Sequence, residues 1–76
     1  EYIDFVDFTS KADYEVVANF FRKVGEISKL LKVEDSGFRL ITNTGSDAHQ
    51  TVSHFHVHIL AGRKLGPLLS SDNLLR

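Results

Sequence analysis

The sequence predicts an α+β fold in which an antiparallel sheet carries a long helix packed on one face. Apolar residues recur at steps of three and four between Val16 and Leu31, the spacing of a helix with one apolar face. Three of the four histidines alternate with apolar residues between His54 and Leu60, the spacing of a strand. A second strand-forming run, residues 38–42, lies one loop earlier, so we expect the two strands to pair antiparallel.

Composition places the chain among small single-domain globular proteins. It has 76 residues, of which 42% are hydrophobic and 25% charged. A net charge of −1 provides no basic stripe for a nucleic-acid backbone, and no apolar run approaches the ~20 residues of a membrane span. Cysteine is absent, which excludes disulfides and thiolate metal sites. We therefore predict a cytoplasmic protein without nucleic-acid or membrane partners. The start at Glu1, not methionine, suggests a fragment or a chain whose beginning was removed.

The first part of the chain is predicted to hold an extended segment and then the long helix. Residues 2–8 are rich in aromatic and β-branched side chains, which favour extended structure. Ser10 and Asp13 match the S-x-x-[DE] signature of a helix start. We therefore expect Ser10 to cap a helix that continues to about Lys32.

Turn-forming residues separate the remaining elements. Residues 34–37 predict a turn, residues 38–42 a strand, and residues 43–47 a second turn. The histidine strand is predicted to end near Leu60. The tail, residues 70–76, has leucines without a clear period, so we expect it to be disordered or to pack on a partner chain.

The histidine strand is predicted to have two chemically different faces. Side chains of a strand point alternately to opposite sides, so His54, His56 and His58 share one face. The opposite face carries Phe55, Val57 and Ile59. The apolar face can be buried, which leaves the imidazole face for chemistry or for a ligand.

Three imidazoles in a row have four possible uses. The first is a zinc site, but three alternate strand positions span ~13 Å, too far for all three to reach one ion unaided. The second is nucleophilic attack on phosphorus by a neutral imidazole, assisted by its neighbours. The third is anion binding without turnover. The fourth is a purely structural row of solvated polar groups.

The loop before the histidine strand favours phosphate chemistry. It supplies side-chain and backbone donors suited to phosphate oxygens from Asn43, Gly45, Ser46, Gln50 and Thr51. Alone, such a segment is most often an ordinary turn. Its position next to the histidine face supports a role in binding.

Residues 50–60 resemble the histidine-triad (HIT) family. Its motif, His-φ-His-φ-His-φ-φ with φ apolar, is matched at all three histidines and at every φ position. The preceding Asn43-x-Gly45 resembles the histidine-triad nucleotide-binding (Hint-like) branch. The absence of proline between the histidines argues against the galactose-1-phosphate uridylyltransferase branch.

The resemblance implies a hydrolase or nucleotidyl transferase that cleaves nucleoside phosphoramidates or related nucleotidyl conjugates without a cofactor or metal. His56 would attack the α-phosphorus and form a nucleotidyl-histidine, which water then hydrolyses to a nucleoside monophosphate such as adenosine monophosphate. His58 would hydrogen-bond the α-phosphate and the leaving group, and His54 would hold the neighbouring backbone in place. Phosphate and ribose would be bound by Asn43, His49, Gln50 and Thr51.

The resemblance also implies a partial domain and a partner. The family domain is longer at its N-terminus, so residues 1–76 would correspond to its C-terminal half, with the triad at residues 54–60. His49 stands where the family commonly has glycine. We expect a purine nucleotide substrate and a homodimer with the helix and the C-terminal segment near the two-fold axis. The alternative function is a nucleotide-binding regulatory or interaction module without significant turnover.

Overall fold

The computed structural model describes residues 1–68, and the predicted tail at residues 70–76 lies outside them. The chain is α+β, as predicted, because two helices precede an antiparallel pair of strands. The elements are α1 (Phe5–Lys11), α2 (Tyr14–Leu30), β1 (Phe38–Ile41), a 3₁₀ helix (Ser46–Ala48) and β2 (His58–Ala61). In the ladder, Phe38 lies opposite Ala61 and Ile41 lies opposite His58.

Helix α1 occupies most of the segment that was predicted to be extended, so that prediction is wrong. The Asp4 carboxylate caps the helix by accepting a hydrogen bond from the Asp7 amide at 2.8 Å. Lys11 pairs with Asp7 one turn away at 2.7 Å, and this hydrogen bond lowers the pKa of the Asp7 carboxyl. Asp4 and Asp7, which interrupt the strand pattern in the sequence, therefore stabilise helix α1, Asp4 as its N-cap and Asp7 through Lys11.

Helix α2 begins at Tyr14, and its N-cap is Asp13 rather than Ser10. Ser10 lies inside α1, and the backbone turns extended at Ala12, so the predicted Ser10 cap is wrong. The helix ends at Leu30, two residues before the predicted Lys32, which has a positive φ of 60°. The long helix itself is confirmed.

An aromatic cluster forms the buried core where α1, α2 and the histidine segment meet. Within residues 1–68, Phe8 is the only buried hydrophobic side chain, at 3% exposure. Its ring stacks on Phe55 at 4.6 Å and lies 5.3 Å from Phe20 and 5.2 Å from Tyr2. The two helices are therefore connected to the histidine segment through Phe55.

Beyond this cluster, α2 and the apolar side of the histidine segment border an open groove. The groove has a volume of about 560 Å³ and is lined mainly by apolar residues of the helix (Val16, Phe20, Val24, Ile27) and of the histidine segment (Phe55, Val57, Ile59). Some apolar residues of α2 face solvent, since Leu30 is 80% exposed. No helix within residues 1–68 is long and apolar enough to cross a membrane.

Candidate active site

The histidine row is split between regular and irregular backbone. Strand β2 begins at His58, so His54 and His56 precede the ladder and the predicted strand is too long at its start. The reason is that β1 ends at Ile41, opposite His58, and the turn formers that follow it provide no further partner strand.

The three rings nevertheless remain in a row. Ring centroids are 5.8 Å apart between His54 and His56, and 4.9 Å apart between His56 and His58. His54 and His58 are exposed, whereas His56 is half-buried. Within residues 1–68, no group of three or more metal-ligating side chains is arranged to hold an ion.

The three apolar residues of this segment lie on the side of the helices, as predicted, but His56 also borders the groove there, so the two faces are not fully separated. Phe55 lies in the aromatic cluster, 5.1 Å from the Phe20 ring, and Val57 and Ile59 border the groove beside α2. The Phe55 amide also donates to the Tyr2 carbonyl at 2.6 Å. The histidine segment is thus held from its apolar side although it lacks ladder bonds before His58.

Two hydrogen bonds define the setting of His56. Its Nδ1 lies 2.9 Å from the His54 carbonyl oxygen. Because a carbonyl only accepts, Nδ1 carries the hydrogen, and in the neutral ring Nε2 keeps its lone pair. The Thr42 hydroxyl donates to the His56 carbonyl at 2.8 Å. A neutral imidazole held in this tautomer is a nucleophile or a base at Nε2.

The loop between the strands is closed by Gln50. Its Oε1 accepts from the Gly45 amide at 2.8 Å, and its Nε2 donates to the carbonyls of Ile3 at 2.7 Å and Val52 at 3.0 Å. The side-chain amide therefore joins the start of the chain, the turn and the lead-in to the histidines. Gly45 has a φ of 82°, a conformation that favours glycine.

The other predicted binding residues lie in or beside this loop. Asn43 is half-buried, whereas His49 and Thr51 are exposed. His49 has a left-handed φ of 60°, which is unfavourable for a residue with a Cβ and explains why glycine suits this position.

Two residues whose side chains make hydrogen bonds in this region were not identified from the sequence. Thr42 follows β1 and reads as an ordinary strand-forming residue, so its bond to His56 has no sequence signal. Arg39 donates to the carbonyl oxygens of Gly66 at 2.6 Å and Pro67 at 3.4 Å, which fastens the segment after β2 against β1. Both contacts depend on which strands are neighbours.

Similar proteins support the resemblance noted in the sequence. The profile of the HIT domain matches residues 5–65. An uncharacterized HIT-like protein of Rickettsia prowazekii (strain Madrid E) is 42% identical over 73 residues, which are 96% of this chain and 61% of that protein. The purine nucleoside phosphoramidase of Escherichia coli (strain K12) is 45% identical over 42 residues, which are 55% of this chain and 35% of that enzyme.

Solved structures agree with the sequence relatives. A histidine triad protein from Clostridium difficile superposes with a TM-score of 0.76 at 37% identity, covering 90% of this chain and 58% of that one. A HIT family hydrolase from Clostridium thermocellum superposes with a TM-score of 0.70 at 28% identity, covering 88% of this chain and 58% of that one. The chain thus spans about three fifths of the length of these solved relatives. With the profile match, the sequence relatives and the shared architecture, the chain belongs to the HIT domain family.

Proposed function

We propose that this protein cleaves nucleoside phosphoramidates or related nucleotidyl conjugates, as a hydrolase or nucleotidyl transferase, through a nucleotidyl-histidine intermediate. The observation that carries the proposal is the setting of His56. Its Nδ1 is bonded to the His54 carbonyl at 2.9 Å, which leaves Nε2 for attack, and the His58 ring lies 4.9 Å away. The E. coli relative named a purine nucleoside phosphoramidase supports the substrate class.

The proposed reaction has two displacements at the α-phosphorus. In the first, His56 Nε2 forms a bond to phosphorus while the phosphorus–nitrogen bond breaks, and the leaving amine takes up a proton from the solvent. His58 donates hydrogen bonds to a phosphate oxygen and to the leaving group. In the second, water attacks the phosphorus while its bond to His56 Nε2 breaks, the water releases a proton to the solvent, and the nucleoside monophosphate leaves. His54 contributes its carbonyl, which keeps the attacking ring in one tautomer.

The loop residues are proposed to hold the nucleotide. Asn43, His49 and Thr51 are assigned to phosphate and ribose because they lie in or beside the loop that leads into the histidine row. Gln50 is proposed as a fourth contact, although its amide already bonds three backbone groups. It therefore reaches a ligand only by sharing a donor or by releasing one of these bonds.

The nucleophile is tested by replacing His56 with asparagine. Asn can still donate from a side-chain amide towards the His54 carbonyl but has no nucleophilic nitrogen. With adenosine 5′-phosphoramidate and the full chain, we expect turnover to disappear while adenosine monophosphate still binds. Wild-type protein quenched during turnover should carry base-stable, acid-labile radiolabelled nucleotide, and His56→Asn should carry none. Equal turnover in the variant would contradict the assignment of His56.

A nucleotide-binding module without significant turnover is the second candidate. The open groove beside α2, which offers a surface for a ligand apart from the histidine rings, favours it. Wild-type protein that binds adenosine monophosphate yet forms no covalent intermediate would support this function over catalysis. Metal analysis of the same sample tests whether the histidines form a zinc site. Stoichiometric zinc held by them would contradict both catalysis through His56 and the nucleotide-binding module.

A homodimer is also proposed. The support is the apolar surface that α2 leaves uncovered, with Leu30 at 80% exposure and Ile27 at 40%. The expected arrangement places α2 near the two-fold axis, while the predicted role of the tail falls outside residues 1–68. Sedimentation equilibrium measures the association directly. The cytoplasmic location stays a prediction.

A further inference from the structure

We infer that Thr42 is a positioning residue for His56, an inference that rests on the proposed function. Thr42 follows the last residue of β1, and its hydroxyl donates to the His56 carbonyl at 2.8 Å. The distance is the usual one for a hydroxyl-to-carbonyl hydrogen bond. The bond joins the end of the sheet to the residue proposed as the nucleophile.

The bond matters because the ladder stops short of His56. The register ends with Ile41 opposite His58, so regular pairing does not extend to residues 54–57. A side-chain hydroxyl at position 42 takes the place of the next ladder hydrogen bond. His56 is thereby connected to β1 although it lies outside β2.

His56 is held at its ring as well as at its carbonyl. The Nδ1 bond to the His54 carbonyl fixes the ring relative to the segment, and the Thr42 bond fixes the segment relative to the sheet. His58 is already fixed by the ladder. Together the two bonds set the position of His56 Nε2 relative to the neighbouring His58 ring, whose centroid lies 4.9 Å from that of His56. In-line attack is sensitive to displacements of this kind, since misplacing a reacting atom by about 1 Å can cost about 100-fold in rate.

The inference can be tested at Thr42 because substitution by valine or by serine separates the effect of side-chain shape from that of the hydrogen bond. Thr42→Val keeps the β-branched shape and removes the donor, whereas Thr42→Ser keeps the donor. Thr9→Val is the matched control, since the Thr9 hydroxyl also donates to a backbone carbonyl, that of Phe5 at 3.0 Å in α1. If Thr42 has a purely structural role, Thr42→Val and Thr9→Val should have similar effects on kcat.

The kinetic measurement compares kcat and KM of the full chain with adenosine 5′-phosphoramidate. For Thr42→Val we expect kcat to fall about 10-fold, the effect of one lost positioning hydrogen bond, with KM changed less than about 2-fold. Thr42→Ser should restore kcat to within about 2-fold of wild type, and Thr9→Val should not change it. Wild-type kcat in Thr42→Val would overturn the inference.

A second measurement does not depend on turnover. Nitrogen-15 spectra of the imidazoles report the His56 tautomer, and hydrogen exchange of the Val57 amide reports the peptide unit that carries the His56 carbonyl. In Thr42→Val we expect faster Val57 exchange and a larger fraction of His56 with the hydrogen on Nε2, neither of which should occur in Thr42→Ser or Thr9→Val. Unchanged spectra and exchange would overturn the role of Thr42. An inactive wild type with these changes would refute the proposed function but support the positioning of His56.

Discussion

The histidine row joins two regions that are stabilised in different ways. His58 belongs to β2, where backbone pairing with Ile41 sets its position. Residues 54–57 lie outside the ladder and depend on the Phe55 ring, the Tyr2 carbonyl and the Thr42 hydroxyl. One motif with strict alternation is therefore held half by backbone pairing and half by side chains and the start of the chain. Two of the residues that hold this region, Tyr2 and Thr42, are consequently distant from the proposed nucleophile in sequence.

The largest expected effect comes from removing the aromatic contact of the irregular region. Phe8→Ala deletes the ring that stacks on Phe55 at 4.6 Å and is 3% exposed, so we expect a loss of about 3–4 kcal/mol in the free energy of unfolding. In a chain of 76 residues, this loss leaves much of the protein unfolded. Urea unfolding followed by circular dichroism measures the change.

The matched control for this variant is Val6→Ala, because Val6 is an apolar residue of α1 that is 59% exposed and lies outside the proposed dimer surface. It should change the free energy of unfolding by less than about 0.5 kcal/mol. Phe8→Leu, which keeps an apolar side chain without the ring, should remain folded and shift the imidazole resonances of His54 and His56 more than that of His58. Equal losses for Phe8→Ala and Val6→Ala would contradict the role assigned to the aromatic cluster.

A smaller effect is expected from opening the loop that leads into the irregular region. Gln50→Ala removes the bonds to the Gly45 amide and to the Ile3 and Val52 carbonyls, which we expect to cost about 1–2 kcal/mol in total. Hydrogen exchange should speed up at the Gly45 amide and remain unchanged in β1 and β2.

Gln50→Glu separates the two ends of this side chain. The carboxylate still accepts from the Gly45 amide but cannot donate to the Ile3 and Val52 carbonyls. We therefore expect Gly45 to retain its protection while stability still falls. Unaltered exchange of the Gly45 amide in Gln50→Ala would show that the loop is closed by other contacts.

The smallest expected effect is a gain in the free energy of unfolding. It tests the backbone strain at His49, beside the candidate site. His49 has a φ of 60°, so His49→Gly should raise the free energy of unfolding by about 0.5–1 kcal/mol. Lys32→Gly should produce a similar gain, since Lys32 has the same φ far from the histidines in sequence. Ala48→Gly, within the 3₁₀ helix, should instead lose stability. If His49→Gly behaved like Ala48→Gly, the His49 side chain would have to make a stabilising contact that offsets the strain.

The comparison between the two regions also shows where sequence reasoning succeeded and where it failed. Helix α2 was predicted because its apolar spacing repeats over 17 residues, and the strand pair because strand-forming residues lie between turn formers. Helix α1 was missed because seven residues are too few for periodicity to outweigh the strand preference of their aromatic side chains. The Ser10 cap failed for the same reason, since Ser10 lies within that unrecognised helix.

The sequence by itself determined which side chains are available for chemistry: three imidazoles on alternate residues, an apolar row between them, and a turn-forming loop just before. These features follow from local order along the chain, and they led to the family. Only the tertiary structure decided that the ladder stops at His58, that Phe8 supports Phe55, and that Thr42 reaches the His56 carbonyl. Such contacts join residues far apart in the chain, and their partners are determined by which segments fold against each other. No local pattern in a sequence specifies that choice.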